Sequence, residues 1–142
     1  MEQATVEYQD SEYNVTILVQ QATVRMGWQR ATLTAHFEGQ LKQLPATEQG
    51  DLATRYIVFR TIPELLAATV HIKNSKGAKK KLDKGLSLQE WLALPEALVL
   101  NWERAVYKLN PHWVIKPPEE EKQGEAPKPG DTSNSTKDSS PG

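Results

Sequence analysis

Three histidines, His36, His71 and His112, are the side chains of this sequence best suited to metal binding or proton transfer, and their spacing serves neither. They lie far apart, none stands in a metal-ligand spacing, and the HExxH helix motif is missing. The densest carboxylate run, residues 119–121, falls in a stretch too polar to fold. Such a stretch cannot hold two acids at the fixed separation acid–base catalysis needs. The glycine fingerprints of phosphate loops and dinucleotide sites are absent, and so is GxSxG. With no cysteine in the chain, disulfides and thiolate metal sites are excluded. No catalytic residue, cofactor-binding residue, cofactor or metal ligand is therefore assigned, and the chain reads as a non-enzyme.

Binding chemistry is better represented. Residues 73–85, KNSKGAKKKLDKG, carry six lysines. Lys79, Lys80 and Lys81 are the candidates for phosphate contacts, with His71 or Trp91 placed to stack on bases. Against that use, the chain has a formal net charge of -1 and its arginines are scattered among acids, so a solvated loop is the plainer reading. Four tryptophans, Trp28, Trp91, Trp102 and Trp113, are many for 142 residues. Trp102 reads as core. Trp91 and Trp113 flank it, and with Leu66 and Tyr107 they are the candidate residues for gripping a partner's helix or strand. For Trp113, core and interface readings both stand.

These side chains must be positioned by helices above all. In residues 94–113, LPEALVLNWERAVYKLNPHW, Pro95 suits a first helical position and Glu96 favours the positive end of the helix dipole. Leu98, Trp102, Ala105, Val106 and Leu109 recur at three- and four-residue steps as one apolar stripe, leaving Asn101, Glu103, Arg104 and Lys108 largely off it. Asn110 and Pro111 then stop the helix, asparagine by tolerating a left-handed cap. Ser87 with Glu90 forms a capping-box pattern that predicts a short helix over 87–93.

Earlier in the chain, residues 1–12 are polar and acidic and predict a loose arm or weak edge strand. Residues 13–19, YNVTILV, predict a strand with Val15, Ile17 and Val19 on one face. Thr23 caps a predicted helix whose inner side is Val24, Trp28, Ala31 and Ala35, widened by Leu33 and Phe37. Residues 44–50 read as a linker. In residues 51–72, Leu52, Tyr56, Phe59, Leu66 and Val70 keep helical spacing while Pro63 interrupts it, so two helices or one kinked helix are both open. Residues 116–142 hold five of the nine prolines, no large apolar side chain and a net charge of -2, the composition of a disordered polar tail. Residues 1–115 hold 13 basic and 12 acidic side chains.

The expected fold is mainly α (α+β): a helical domain over 1–115 with an N-terminal strand or hairpin and about four helices, then the tail. No run approaches the roughly 20 apolar residues that span a bilayer, and the first residues lack a signal peptide's basic and apolar regions. A cytoplasmic protein with no membrane partner is expected.

The arrangement Leu94-Pro95 … Trp102 … Ala105-Val106 … Asn110-Pro111-His112-Trp113, followed by a charged tail, resembles the tail assembly chaperones of long-tailed bacteriophages and prophages. The likeness covers roughly residues 52–115, most firmly Pro63-Glu64-Leu65-Leu66-Ala67-Ala68 and 94–113. The N-terminal strand and the lysine-rich segment are not part of the resemblance. The resemblance implies a non-enzymatic role in the host cytoplasm, binding the tape measure protein and helping recruit tail tube subunits. It also implies that a longer, frameshifted product can exist. It transfers no catalytic residue. The alternatives are another small phage structural or adaptor protein, such as a head–tail adaptor, and a nucleic-acid-binding module working through residues 73–84.

Overall fold

A computed structural model describes residues 1–115. The predicted disordered tail over 116–142, with the carboxylates at 119–121, lies outside the described residues.

The chain opens with a hairpin, β1 (Gln3–Gln9) and β2 (Asn14–Gln20), paired antiparallel. Asp10 makes the turn: its Oδ1 accepts the N–H groups of Glu12 at 2.8 Å and Tyr13 at 2.7 Å. Those backbone donors, Tyr13's first, hold the Asp10 carboxyl below its ordinary pKa. Residues 3–9 are thus a regular strand and not a loose arm. Val15, Ile17 and Val19 do share the buried face of β2, while Leu18 on the other face is half-buried.

Thr23 caps α1 (Val24–Leu41), its hydroxyl accepting the Met26 N–H at 3.2 Å. The predicted inner side of this helix is reversed. Val24, Trp28, Ala31 and Ala35 face solvent, and Phe37 and Leu41 are buried with Leu33 half-buried. Two apolar stripes compete on α1, and the one carrying Phe37 and Leu41 packs against the rest of the domain. The predicted linker contains a helical turn, α2 (Ala46–Gln49), and buries Leu44.

Asp51 then caps α3 (Leu52–Tyr56), which runs through a π-helical turn (Ile57–Thr61) into α4 (Ile62–Ala68). The backbone stays helical through Pro63. The wide turn is how it does so: the Ile62 N–H reaches back five residues to the Ile57 carbonyl, slipping the register just where Pro63 would lose a bond and collide. The helical spacing extrapolated to Val70 ends at Ala68. Thr69–Asn74 is a third strand, β3, antiparallel to β2, giving a sheet ordered β1-β2-β3 with a bulge at Leu18/Val19. Thr69, Val70 and Ile72 are β-branched, and their pairing with β2 satisfies the β2 backbone groups that face away from β1.

The lysine-rich segment is more organised than a solvated loop. Leu82 within it is fully buried, and the Asn74 side chain bonds the Leu82 backbone in both directions at 2.8 and 2.9 Å. The Ser87–Glu90 capping box forms as expected at the head of α5 (Leu88–Leu92).

Last comes α6 (Glu96–Leu109), with Leu98, Trp102 and Val106 fully buried. Pro95 takes the cap position, one residue before the first helical one. Asn110 does not end the helix by a left-handed cap: its φ is -130°, and it is buried. Its side chain donates to the carbonyls of Val106 at 3.0 Å and Gln20 at 3.2 Å and accepts the Ala22 N–H at 2.7 Å. One asparagine thereby ties the end of α6 to the junction of β2 and α1. A 3-10 turn, Pro111–Trp113, follows.

The architecture is α+β. One face of the antiparallel sheet is covered by α6, and α1 packs on α4. Among the described residues no helix is long and apolar enough to cross a membrane.

Candidate partner-binding surface

The chemistry that charged residues can do here is mostly spent on holding the fold. Glu64, in the first turn of α4, is fully buried and has both carboxylate oxygens engaged. Oε1 accepts the Tyr107 hydroxyl at 2.5 Å; Oε2 meets Arg60 at 2.8 Å and Arg30 at 3.4 Å. The Arg30 guanidinium lies 4.6 Å above the Trp113 ring, and Arg60 donates to the Trp113 carbonyl at 2.8 Å. Five elements are pinned at this one acid. Burial first, then the bond to Glu64, pushes the Tyr107 phenol well above its ordinary pKa, and burial likewise raises Glu103. A carboxylate so surrounded has no free oxygen to offer a substrate.

The histidines stay apart. His36 faces Gln40 on the exposed side of α1, His71 is exposed on β3, and His112 is exposed in the 3-10 turn. Among the described residues no group of three metal-ligating side chains forms.

Three of the four candidate partner residues are buried. Trp91 stacks on Trp102 with centroids 5.2 Å apart, Trp113 sits beneath Arg30, and Leu66 is under α1. Tyr107 is half-buried and bonded to Glu64. Trp91 keeps one open feature: its buried indole N–H has no partner among the described residues, and it lines a pocket of about 180 Å³ with Ile57, Ile62, Leu94 and Val99. Lys79, Lys80 and Lys81 are exposed. Lys80 pairs with Glu12 at 3.4 Å, while Lys81 joins His71, Lys73 and Lys76 around a concave surface beside β3.

One open apolar surface lies where the sequence predicted core. Trp28 is 75% exposed and Val24 is 78% exposed. Beside Trp28 runs a groove of about 480 Å³, floored by Leu33 and the edge of Leu66 and walled by Arg25, Gln29, Thr32 and Lys84. The Lys84 ammonium is anchored at 2.5 Å on the Thr69 carbonyl, and partial burial lowers its pKa. The groove thus brings together a large aromatic ring, an aliphatic floor and two cationic side chains, the chemistry that suits an amphipathic segment with acidic flanks. Of the candidates read from sequence, Leu66 alone contributes to it. Trp28 is not legible as a surface residue because the spacing of its stripe is that of an inward face. The regular four-residue step Leu33–Phe37–Leu41 was the available signal that another face packs.

Comparison with protein-family models, curated proteins and solved structures gave no match.

Proposed function

We propose that this protein is a non-enzymatic protein-binding module that acts as a phage tail assembly chaperone, holding the tape measure protein and helping recruit tail tube subunits. The observation that carries the reading is the outer stripe of α1: Val24, Trp28, Ala31 and Ala35 stand in water beside a groove while the same helix buries its other face. A fold that leaves a tryptophan this bare on a rigid helix has apolar surface to offer a partner. A tape measure protein is long and helical, with stripes that need covering until assembly, and a helix laid along α1 would cover them. The residues at 63–68 and 94–113 support the family reading.

The test is co-expression of the full chain with the tape measure protein of the same genome. Co-purification that is lost in Trp28→Glu and retained in an exposed control such as Glu38→Gln supports the proposal. No co-purification with the unaltered chain overturns it.

A second reading is favoured by one observation. Lys73, Lys76 and Lys81 surround a concave surface whose lining contains no acid, which suits a polyanion. Nucleic-acid binding that weakens with salt and falls in the Lys79→Ala/Lys80→Ala/Lys81→Ala variant would support this alternative. An adaptor role would keep protein binding but shift it to a different structural partner.

A further inference from the structure

Among the described residues nothing pairs with the outer edge of β1, which is an open template. The Gln21 N–H donates to the Glu2 carbonyl and the Asp10 N–H to the Tyr13 carbonyl, both at 2.9 Å, in the same register as the strands between them. In an antiparallel ladder the bonded pairs alternate, so Ala4, Val6 and Tyr8 bond β2. Gln3, Thr5, Glu7 and Gln9 must then point their N–H and C=O groups away from the sheet.

Sheet edges are ordinarily blunted by lysine, proline, a bulge or a covering segment. The β3 edge is treated that way: Lys84 occupies the Thr69 carbonyl, and the Asn74 side chain holds the Leu82 backbone. β1, QATVEYQ, has no lysine or proline, and its pairing with β2 runs without a bulge.

Alongside this edge α6 forms one wall of a groove of about 450 Å³. Its floor is Ala4, Val6, Ala105 and Leu109, and its rim is Arg104 and Lys108. No acid lines it. Glu7 is exposed, and strand alternation projects it from the other face of β1.

We infer that β1 accepts an extended acidic segment of a partner protein as a fourth strand. The open backbone of β1 supplies the ladder, and alternate carboxylates of the incoming strand meet Arg104 and Lys108 while their stems cover Ala105 and Leu109. Charge decides among occupants. A second copy pairing β1 on β1 would set two cationic walls facing each other across the new strands. This chain's own acidic run, residues 119–121, is contiguous instead of alternating and follows Pro117 and Pro118, which cannot donate to a ladder. The site is separate from the Trp28 groove, so either can fail alone.

The probe is a peptide as long as β1, alternating glutamate and valine, added to the full chain while amide hydrogen exchange is followed residue by residue. The expected result is binding tighter than about 1 mM that weakens with salt, with slowed exchange at Thr5 and Glu7. Arg104→Glu/Lys108→Glu, both exposed, should lower affinity at least about tenfold and favour the lysine–valine version of the peptide. Thr5→Pro, which removes only an outward donor, should abolish binding. Absence of binding overturns the inference, as does binding that the Arg104/Lys108 pair does not affect. Protection of Thr5 and Glu7 before any peptide is added also overturns it. If that protection grew with protein concentration, the occupant would be a second copy; if not, the chain's own tail.

Discussion

Trp102 and Trp28 occupy equivalent places in their local sequences and opposite places in the molecule. Each sits in a helix within an apolar stripe at three- and four-residue steps. Trp102 is fully buried, stacks on Trp91, and donates its N–H at 2.9 Å to the Thr69 hydroxyl, which in turn donates to the Leu65 carbonyl at 2.6 Å. Trp28 is three-quarters exposed above a groove. The difference lies in the rest of each helix. α6 has one apolar face, and the sheet, α4 and Trp91 of α5 together cover it. α1 has two, and α4 covers only the one with Phe37 and Leu41. An apolar stripe thus states what a helix can bury; the number of neighbouring elements decides what it does bury.

The largest effect that would break this contrast is at Trp102. Trp102→Ala should cost about 3–5 kcal/mol, read as a lowered urea midpoint, since it opens a core cavity and leaves the Thr69 hydroxyl without its donor. A loss below about 1 kcal/mol would mean that Trp102 is no more structural than Trp28. Next is the acid that pins α1, α4 and α6. Glu64→Gln should destabilise by less than the about 3–5 kcal/mol typical of breaking a fully buried pair, because Arg30 and Arg60 keep about a third of their surface in water. Pairing it with Arg30→Met should recover part of that loss in a double-mutant cycle.

Alkaline pH sharpens the same comparison. Tyr107 has its folded pKa raised above the ordinary 10.0, so the unfolded chain ionises first as pH rises. The stabilisation is complete below about pH 10 and is lost above it. The urea midpoint of the unaltered chain should therefore fall between about pH 9 and about pH 11 more steeply than that of Tyr107→Phe, and equal slopes would remove Tyr107 from the account. On α1, Gly27 has open space where a Cβ would stand, so Gly27→Ala should raise stability by about 0.5–1 kcal/mol. The smallest effect is at Trp28 itself. Trp28→Ala should leave the melting transition within about 0.5 kcal/mol of the original while abolishing partner capture, which Trp102 variants cannot do without unfolding.

Local signals carried much of the fold. The Ser87–Glu90 box, the Thr23 cap, the stripe of α6 and the alternating face of β2 are short-range patterns, and each formed where its residues stand. The shortfalls share one cause. β3 exists because β2 offers it a partner, so Thr69–Asn74 pairs as a strand where helical spacing had run on from Leu66 to Val70. Leu82 is buried in a lysine-rich run because Asn74 reaches it, and Asn110 ends α6 through contacts to Gln20 and Ala22, residues far away in the chain. The candidate binding surface was the least legible. Residue type alone points to Trp91, Trp113 and Leu66, but type does not distinguish a side chain that closes a core from one that waits for a partner.

By itself the sequence determined that this chain makes an amphipathic C-terminal helix, capped helices before it and an N-terminal strand over residues 13–19, with no motif for catalysis. Those outcomes depend on residues within a few positions of one another. Only the tertiary structure decided which face of α1 is dry, that Glu64 gathers two arginines and a tyrosine, and that the β1 edge lies open beside Arg104 and Lys108. Each of these turns on which surfaces compete for the same neighbour, and that competition is settled between segments distant in the chain.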